Sequence, residues 1–237
     1  MSPLFISPLL AASLVLAASL STAVATASAE PSPIIKALFQ SDGEAFTPPQ
    51  QNKALQALLA KHPKLTFFEA CGVGDAVEVA RQLERDPKLA TAWNEFGWSA
   101  LHLAAFSGST EIVKLLLDRG AAIEARARTK FKNVPLQTAL LSGQLATAKL
   151  LLERGADPLI RQAKGFTPMH EAVLLGRRDL VELLLGAGAE LDSRADDGRT
   201  PLSEAFRGKH AELAKFLQAK GARGAEITAD LKASPKE

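Results

Sequence analysis

From Leu65 onward, apolar and polar positions form a pattern that restarts at a fixed interval. The clearest copy runs from Gly165 to Asp197, and it begins again at Gly198. Thirty-three residues separate Gly165 from Gly198, Pro168 from Pro201 and Gly188 from Gly221. Within the unit, Asp197-Gly198 reads as a turn, because glycine takes positive φ without a steric cost. Thr167-Pro168 predicts the start of a short helix, since proline is tolerated at the first helical position and presets φ. Gly176 ends that helix. Leu180, Val181, Leu184 and Leu185 then form the apolar stripe of a second helix, which Gly188 closes. A fixed period of this length predicts stacked helix pairs, each burying its stripe against its neighbours.

The same grammar appears upstream. Gly97-Trp98-Ser99-Ala100-Leu101-His102-Leu103-Ala104-Ala105 leads to Gly108, then to Ile112, Val113, Leu116 and Leu117, then to Gly120-Ala121. Val134-Pro135-Leu136-Gln137-Thr138-Ala139 opens a further copy that closes at Gly155-Ala156-Asp157. Gly120 and Gly155 lie 35 residues apart, which places a two-residue insertion most simply in the loop Arg126 to Asn133. A degenerate first copy runs from Leu65 to Phe96 through Phe67-Phe68-Glu69-Ala70-Cys71 and Gly74-Asp75.

These motifs resemble the ankyrin-repeat family, whose unit reads G-x-T-P-L-H-x-A-A-x-x-G, a leucine-rich helix, then G-A. The resemblance covers about two-thirds of the chain. It implies an all-α solenoid of helix-turn-helix units with hairpin fingers, about five repeats at 65–96, 97–131, 132–164, 165–197 and 198–224. Residues 30–64 are expected to form an N-terminal helical cap and lead-in, with Ile34 to Phe39 and Gln50 to Lys61 helical. Ala54, Leu55, Leu58 and Leu59 would make one face of the second helix. Ser203, Arg207 and Gln218 put polar groups where the preceding repeat has His170, Leu174 and Leu185, as a terminal repeat needs. The tail 225–237 is polar and expected to be flexible.

Residues 1–29 carry no charged side chain and include the apolar run Leu9 to Ala18, with Ala27-Ser28-Ala29 before Glu30. This reads as a signal peptide cleaved after Ala29, giving a periplasmic or secreted protein. An uncleaved membrane anchor is the alternative, and no basic residue precedes the apolar run. A net charge of +2 argues for neither nucleic acid nor membrane attraction by the molecule as a whole. The single cysteine, Cys71, allows no internal disulfide and reads as a buried, inert thiol.

His102 and His170 occupy equivalent repeat positions, and the resemblance gives this histidine a structural use: its ring ties neighbouring repeats through backbone hydrogen bonds. His62 and His210 read as isolated surface residues. No Ser/His/Asp or Cys/His set, phosphate loop, metal motif or paired carboxylate stands out. The expectation is therefore a non-enzymatic protein with no cofactor and no metal.

Recognition of a protein partner remains, in the concave groove that the family lines with finger tips and first-helix faces. The candidate residues are Trp98 and Phe166 at the tips, and Leu103, Phe106, Leu141, Glu171 and Leu174 on first helices. Phe131 joins them from the inserted loop, where Arg126, Arg128, Lys130 and Lys132 alternate and would point one way on an extended finger. Arg128 and Lys130 are the expected steering charges for an acidic partner. Exposed apolar groups gathered in one patch mark a binding surface, whereas the same groups packing the fingers onto the helices do not. Three roles fit a chain expected to be monomeric: a periplasmic or secreted interaction module, which the resemblance to exported bacterial ankyrin proteins links to support of a neighbouring enzyme such as a periplasmic catalase; an inhibitor or immunity protein; or a membrane-tethered scaffold.

Overall fold

The computed structural model describes residues 32–39 and 52–223. The apolar leader with Ala27-Ser28-Ala29, residues 40–51 of the lead-in and the tail 225–237 lie outside the described residues. Among the described residues the regular structure is twelve α-helices and two short 3-10 turns, and one isolated antiparallel bridge joins Trp93 to Ser99. The chain divides into two compact units, Met1–Asp157 and Pro158–Glu237.

In the first unit, α1 (Pro33–Phe39) and α2 (Lys53–Lys61) precede three helix pairs. These are α3 (Phe67–Val73) with α4 (Ala76–Arg85), α5 (Ala100–Ser107) with α6 (Thr110–Asp118), and α7 (Pro135–Leu141) with α8 (Leu145–Glu153). First helices α3, α5 and α7 pack on one another in series, and α4, α6 and α8 do the same. Every residue of α5 and α7 is buried, and α5 packs between α3 and α7 with α6 behind it. The second helices are amphipathic: Ile112, Val113 and Leu116 of α6 are buried while Glu111, Lys114 and Asp118 are exposed.

Helix α1 buries Ile34, Ile35, Ala37 and Leu38. Leu38 approaches α3 so closely that a Cβ on Gly72 would lie 2.6 Å from its Cδ1. Ser32 Oγ donates to Glu69 Oε1 at 2.6 Å, adding a polar tie between lead-in and first repeat. Helix α2 begins at Lys53 rather than Gln50, because the Asn52 side chain accepts the Leu55 N–H and caps it. Its apolar face is narrower than predicted, since Leu55 is buried, Leu58 and Leu59 are half-buried, and Ala54 is exposed.

The second unit holds α9 (Pro168–Leu174) with α10 (Arg178–Gly186) and α11 (Pro201–Arg207) with α12 (Ala211–Ala219). Helix α9 packs on α11, and each packs on its own second helix. Pro168 and Pro201 stand in the first helical turn, as predicted. Arg207 and Gln218 are exposed and Ser203 is half-buried in the last repeat.

The second helices α6, α8, α10 and α12 end alike. The N–H groups of Ala121, Ala156, Ala189 and Ala222 donate to the carbonyls of Leu116, Leu151, Leu184 and Leu217, each five residues back. Gly120, Gly155, Gly188 and Gly221, with φ between 86 and 95°, make that reversal accessible. The recurrent Gly-Ala pair is therefore a helix terminator shared by four of the five copies, whereas α4 of the first copy is capped by Asp86.

Candidate functional site

The two repeat histidines sit inside these units as ties. His102 Nε2 lies 2.9 Å from the Asn133 carbonyl oxygen, and His170 Nε2 lies 3.1 Å from that of Arg199. Asn133 and Arg199 each precede the N-cap of the next first helix, so each ring bonds the entry of the following repeat. On the other side of the ring, the Ser99 N–H points at His102 Nδ1 at 3.4 Å and the Ser99 hydroxyl lies 2.7 Å from it. Thr167 does the same for His170, at 3.2 Å and 2.9 Å. With Nδ1 accepting, Nε2 carries the proton and donates to the carbonyl, which fixes a neutral ring. Burial lowers the His102 pKa to about 4, against the carbonyl bonds that favour the charged form. His170 is shifted in the same direction by the same cause. These rings have the structural role that the resemblance implied.

A second inter-repeat tie was not read from the sequence. Gln144 Nε2 donates to the Phe106 carbonyl at 3.3 Å, and His210 Nε2 lies 3.1 Å from the Leu174 carbonyl. Phe106 and Leu174 are equivalent positions near the ends of their first helices. His210 is thus corrected from an isolated surface residue to a half-buried tether. Gly108 and Gly176 leave room for it: a Cβ there would fall 2.3 Å from Gln144 Oε1 and 2.6 Å from the His210 ring. Periodicity alone hid this contact because the donor differs, amide in one repeat and imidazole in the other. His62 is exposed.

The fingers close by short backbone pairs. Asn94 N–H donates to the Trp98 carbonyl, Gln162 to Phe166, and Ala195 to Arg199, all at 2.9 Å. In the remaining finger Ala127 N–H donates to the Asn133 carbonyl at 2.8 Å, enclosing two more residues than the others. This locates the insertion at the finger tip. The tip is anchored to the preceding finger, because Arg128 N–H donates to the Gly97 carbonyl at 2.9 Å. A side chain at Gly97 would meet Arg128 Cβ at 2.8 Å, in addition to an unfavourable φ of 81°. The predicted alternation is present: Arg126, Arg128, Lys130 and Lys132 are exposed, whereas Ala127 and Asn133 are buried and Thr129 and Phe131 half-buried. Arg128 lies over the Trp93 ring at 4.4 Å and Lys130 over Phe131 at 5.0 Å.

The apolar candidates are placed differently from the expectation. Trp98, Leu103, Phe106, Leu141 and Glu171 are buried rather than exposed, and Phe131, Phe166 and Leu174 are half-buried. Trp98 packs edge-on against His102 with centroids 5.4 Å apart, and Asn94 Oδ1 accepts its backbone N–H at 2.8 Å. Leu103, Phe106 and Leu141 belong to first helices in which every residue is buried. The signal that would have shown this is the all-round apolar character of Ala100-Leu101-His102-Leu103-Ala104-Ala105-Phe106, which leaves no polar stripe for solvent. Phe166 lies between the His170 ring at 5.1 Å and the Arg199 guanidinium at 4.7 Å. Arg128 and Lys130 are the candidates that stand exposed.

Two buried glutamates occupy equivalent positions in the second unit with unequal partners. Glu204 accepts from Arg199 Nη1 at 2.9 Å and from Arg207 Nε and Nη2 at 3.0 and 2.8 Å. Glu171, one repeat earlier, is 2% exposed and accepts from Gln162 Nε2 at 2.7 Å. Its other oxygen, Oε2, and Gln162 Oε1 are both buried without a hydrogen-bond partner. Burial raises the Glu171 pKa well above the usual carboxylate value.

Elsewhere in the first unit a cleft of about 540 Å³ is lined by Lys64, Glu78, Arg81, Gln82 and Arg85 among others. Arg81 is engaged by Glu78 through two hydrogen bonds, one of 2.7 Å, and Gln82 donates to the same carboxylate. Cys71 is fully buried and burial pushes its thiol pKa up, so it is an inert core group. No helix among the described residues is long and apolar enough to cross a membrane.

Comparison with known proteins agrees with this geometry. The family described as ankyrin repeats (3 copies) matches residues 67–162 and 158–230. Over 76 residues, 32% of its length, the chain is 40% identical to the transient receptor potential cation channel subfamily A member 1 homolog of Caenorhabditis elegans. The match spans only 6% of that channel protein. The helix pairs, the closing fingers, the Gly-Ala terminators and the histidine ties, together with the family match over more than half of the chain, show that it belongs to the ankyrin-repeat family.

Proposed function

We propose that this ankyrin-repeat protein is an exported, non-enzymatic module that binds an acidic protein partner through its lengthened finger. Ankyrin repeats indicate protein–protein interaction, and the family is typically non-enzymatic. The observation that carries the reading is the finger Arg126 to Asn133. Its backbone is pinned at Ala127 and Arg128, and it displays four cations on alternate residues. A pinned loop presents its charges with little ordering cost, which favours recognition over a merely solvated tip. The leader ending in Ala27-Ser28-Ala29 supports export to the periplasm or beyond, with the mature chain starting at Glu30.

The test is recovery of the partner from envelope extract, followed by binding of the purified pair. Wild-type protein should bind with an association rate that falls steeply with salt. The double variant Arg128→Gln/Lys130→Gln should associate more slowly and with a shallower salt dependence. An unchanged salt dependence would show that the finger is a solvated tip. Assay of the partner with and without this protein separates support of an enzyme from inhibition.

A further inference from the structure

We propose that Glu171 and Gln162 form a seat for one arginine side chain of the bound protein, a site that the last repeat fills with its own residues. This inference rests on the reading of the chain as a protein-binding module. A step of 33 residues carries Phe166 to Arg199, Glu171 to Glu204 and Leu174 to Arg207. At Glu204 both arginines are present, and the buried carboxylate accepts three hydrogen bonds from them. At Glu171 both arginine positions hold apolar residues, and the carboxyl keeps a single bond, from Gln162.

Two acceptors are left over in one place, Glu171 Oε2 and Gln162 Oε1, and both are buried. A buried acceptor without a donor costs free energy, and an ionised carboxylate without a cation costs more. A guanidinium answers both, because its planar fork presents several N–H donors together with the compensating charge. The neighbouring repeat shows the route. Arg207, with 57% of its side chain exposed, reaches the Glu204 carboxylate from three residues along the same helix. The equivalent approach to Glu171 runs beside Leu174, which is half-buried and carries no charge. The face of Phe166 is already occupied by Arg199, so the seat takes its charge at the carboxyl and not by stacking.

The test uses the full chain, labelled with ¹⁵N, and two probes: N-acetyl-arginine amide and its uncharged isostere N-acetyl-citrulline amide. The arginine probe should shift the Gln162 side-chain amide and the α9 backbone amides saturably, with the citrulline probe at least about tenfold weaker. Glu171→Gln keeps a group for Gln162 to bond and removes the charge, so it should weaken the arginine response by a similar factor. Leu174→Arg places at 174 the residue type that position 207 already carries. It should fill the seat from within and abolish the response, and it keeps the inference testable if Glu171→Gln unfolds. Equal responses to the two probes, no response to either, or an unchanged response in Leu174→Arg would overturn the inference and leave the two acceptors to water. If the arginine probe binds as expected and no protein partner is recovered, the seat stands and the binding-module reading fails. If a partner binds Glu171→Gln as tightly as wild type, the module reading stands and the seat fails.

Discussion

The His102 ring lies 2.9 Å through Nε2 from the backbone carbonyl of Asn133, 31 residues further along the chain. One uncharged side chain thereby joins two repeats at the point where the next first helix begins. Its neutrality has a consequence for stability in acid. The pKa is lowered to about 4 by burial, from an ordinary value of 6.5 in the unfolded chain. Between those values the unfolded chain binds the additional proton, so stability rises with pH across that window. The contribution is complete above about pH 6.5 and is lost as pH falls toward 4, amounting to about 3 kcal/mol. Urea unfolding of wild type and His102→Gln at several pH values checks this. The variant should be less stable at neutral pH and show a smaller loss between pH 6.5 and 4; identical pH slopes would refute it.

Leu116 is fully buried at the inner face of α6. Leu116→Ala should destabilise the protein by about 2–5 kcal/mol, as expected for a buried leucine. Leu145, at 37% exposure the first residue of α8, provides the control. Leu145→Ala should change stability by less than about 0.5 kcal/mol. Denaturant midpoints that fail to separate the two would place the helix register elsewhere.

Trp98 and Phe106 are each 1% exposed. Their truncation to alanine should cost stability first, by about 3–5 kcal/mol, and affect binding only through the fold. A variant that melts normally but loses its partner would return these rings to the binding surface.

Two glycines make opposite predictions. Gly108 has a φ of 80° and a Cβ there would meet Gln144 Oε1 at 2.3 Å, so Gly108→Ala should cost about 1–3 kcal/mol. Gly186 is the last residue of α10, and no atom lies within 4 Å of a Cβ added to it. Gly186→Ala should therefore stabilise by about 0.5 kcal/mol through helix propensity and a less free unfolded chain. Thermal melts of the two variants should move in opposite directions.

The paired helices and their terminators were legible in the chain because each depends on residues within one period, and the histidine ties followed from the family resemblance that the repeated motif carries. Pro168 and Pro201 open first helices where the pattern predicted, and the glycine after α6, α8, α10 and α12 takes the left-handed conformation that reverses the chain. The insertion was readable as well, since a change of period needs no coordinates. Exposure was not legible in the same way. Trp98 has the same apolar character whether it faces solvent or a neighbour, and only the packing of its finger against His102 decided that it is buried. The same holds for Glu171 and Glu204, alike in sequence and register, whose difference lies in what the neighbouring positions carry to the carboxyl. Local sequence determined the elements because backbone geometry and capping act over a few residues. The tertiary structure decided which side chains have partners, because burial and hydrogen bonding join residues about one repeat apart.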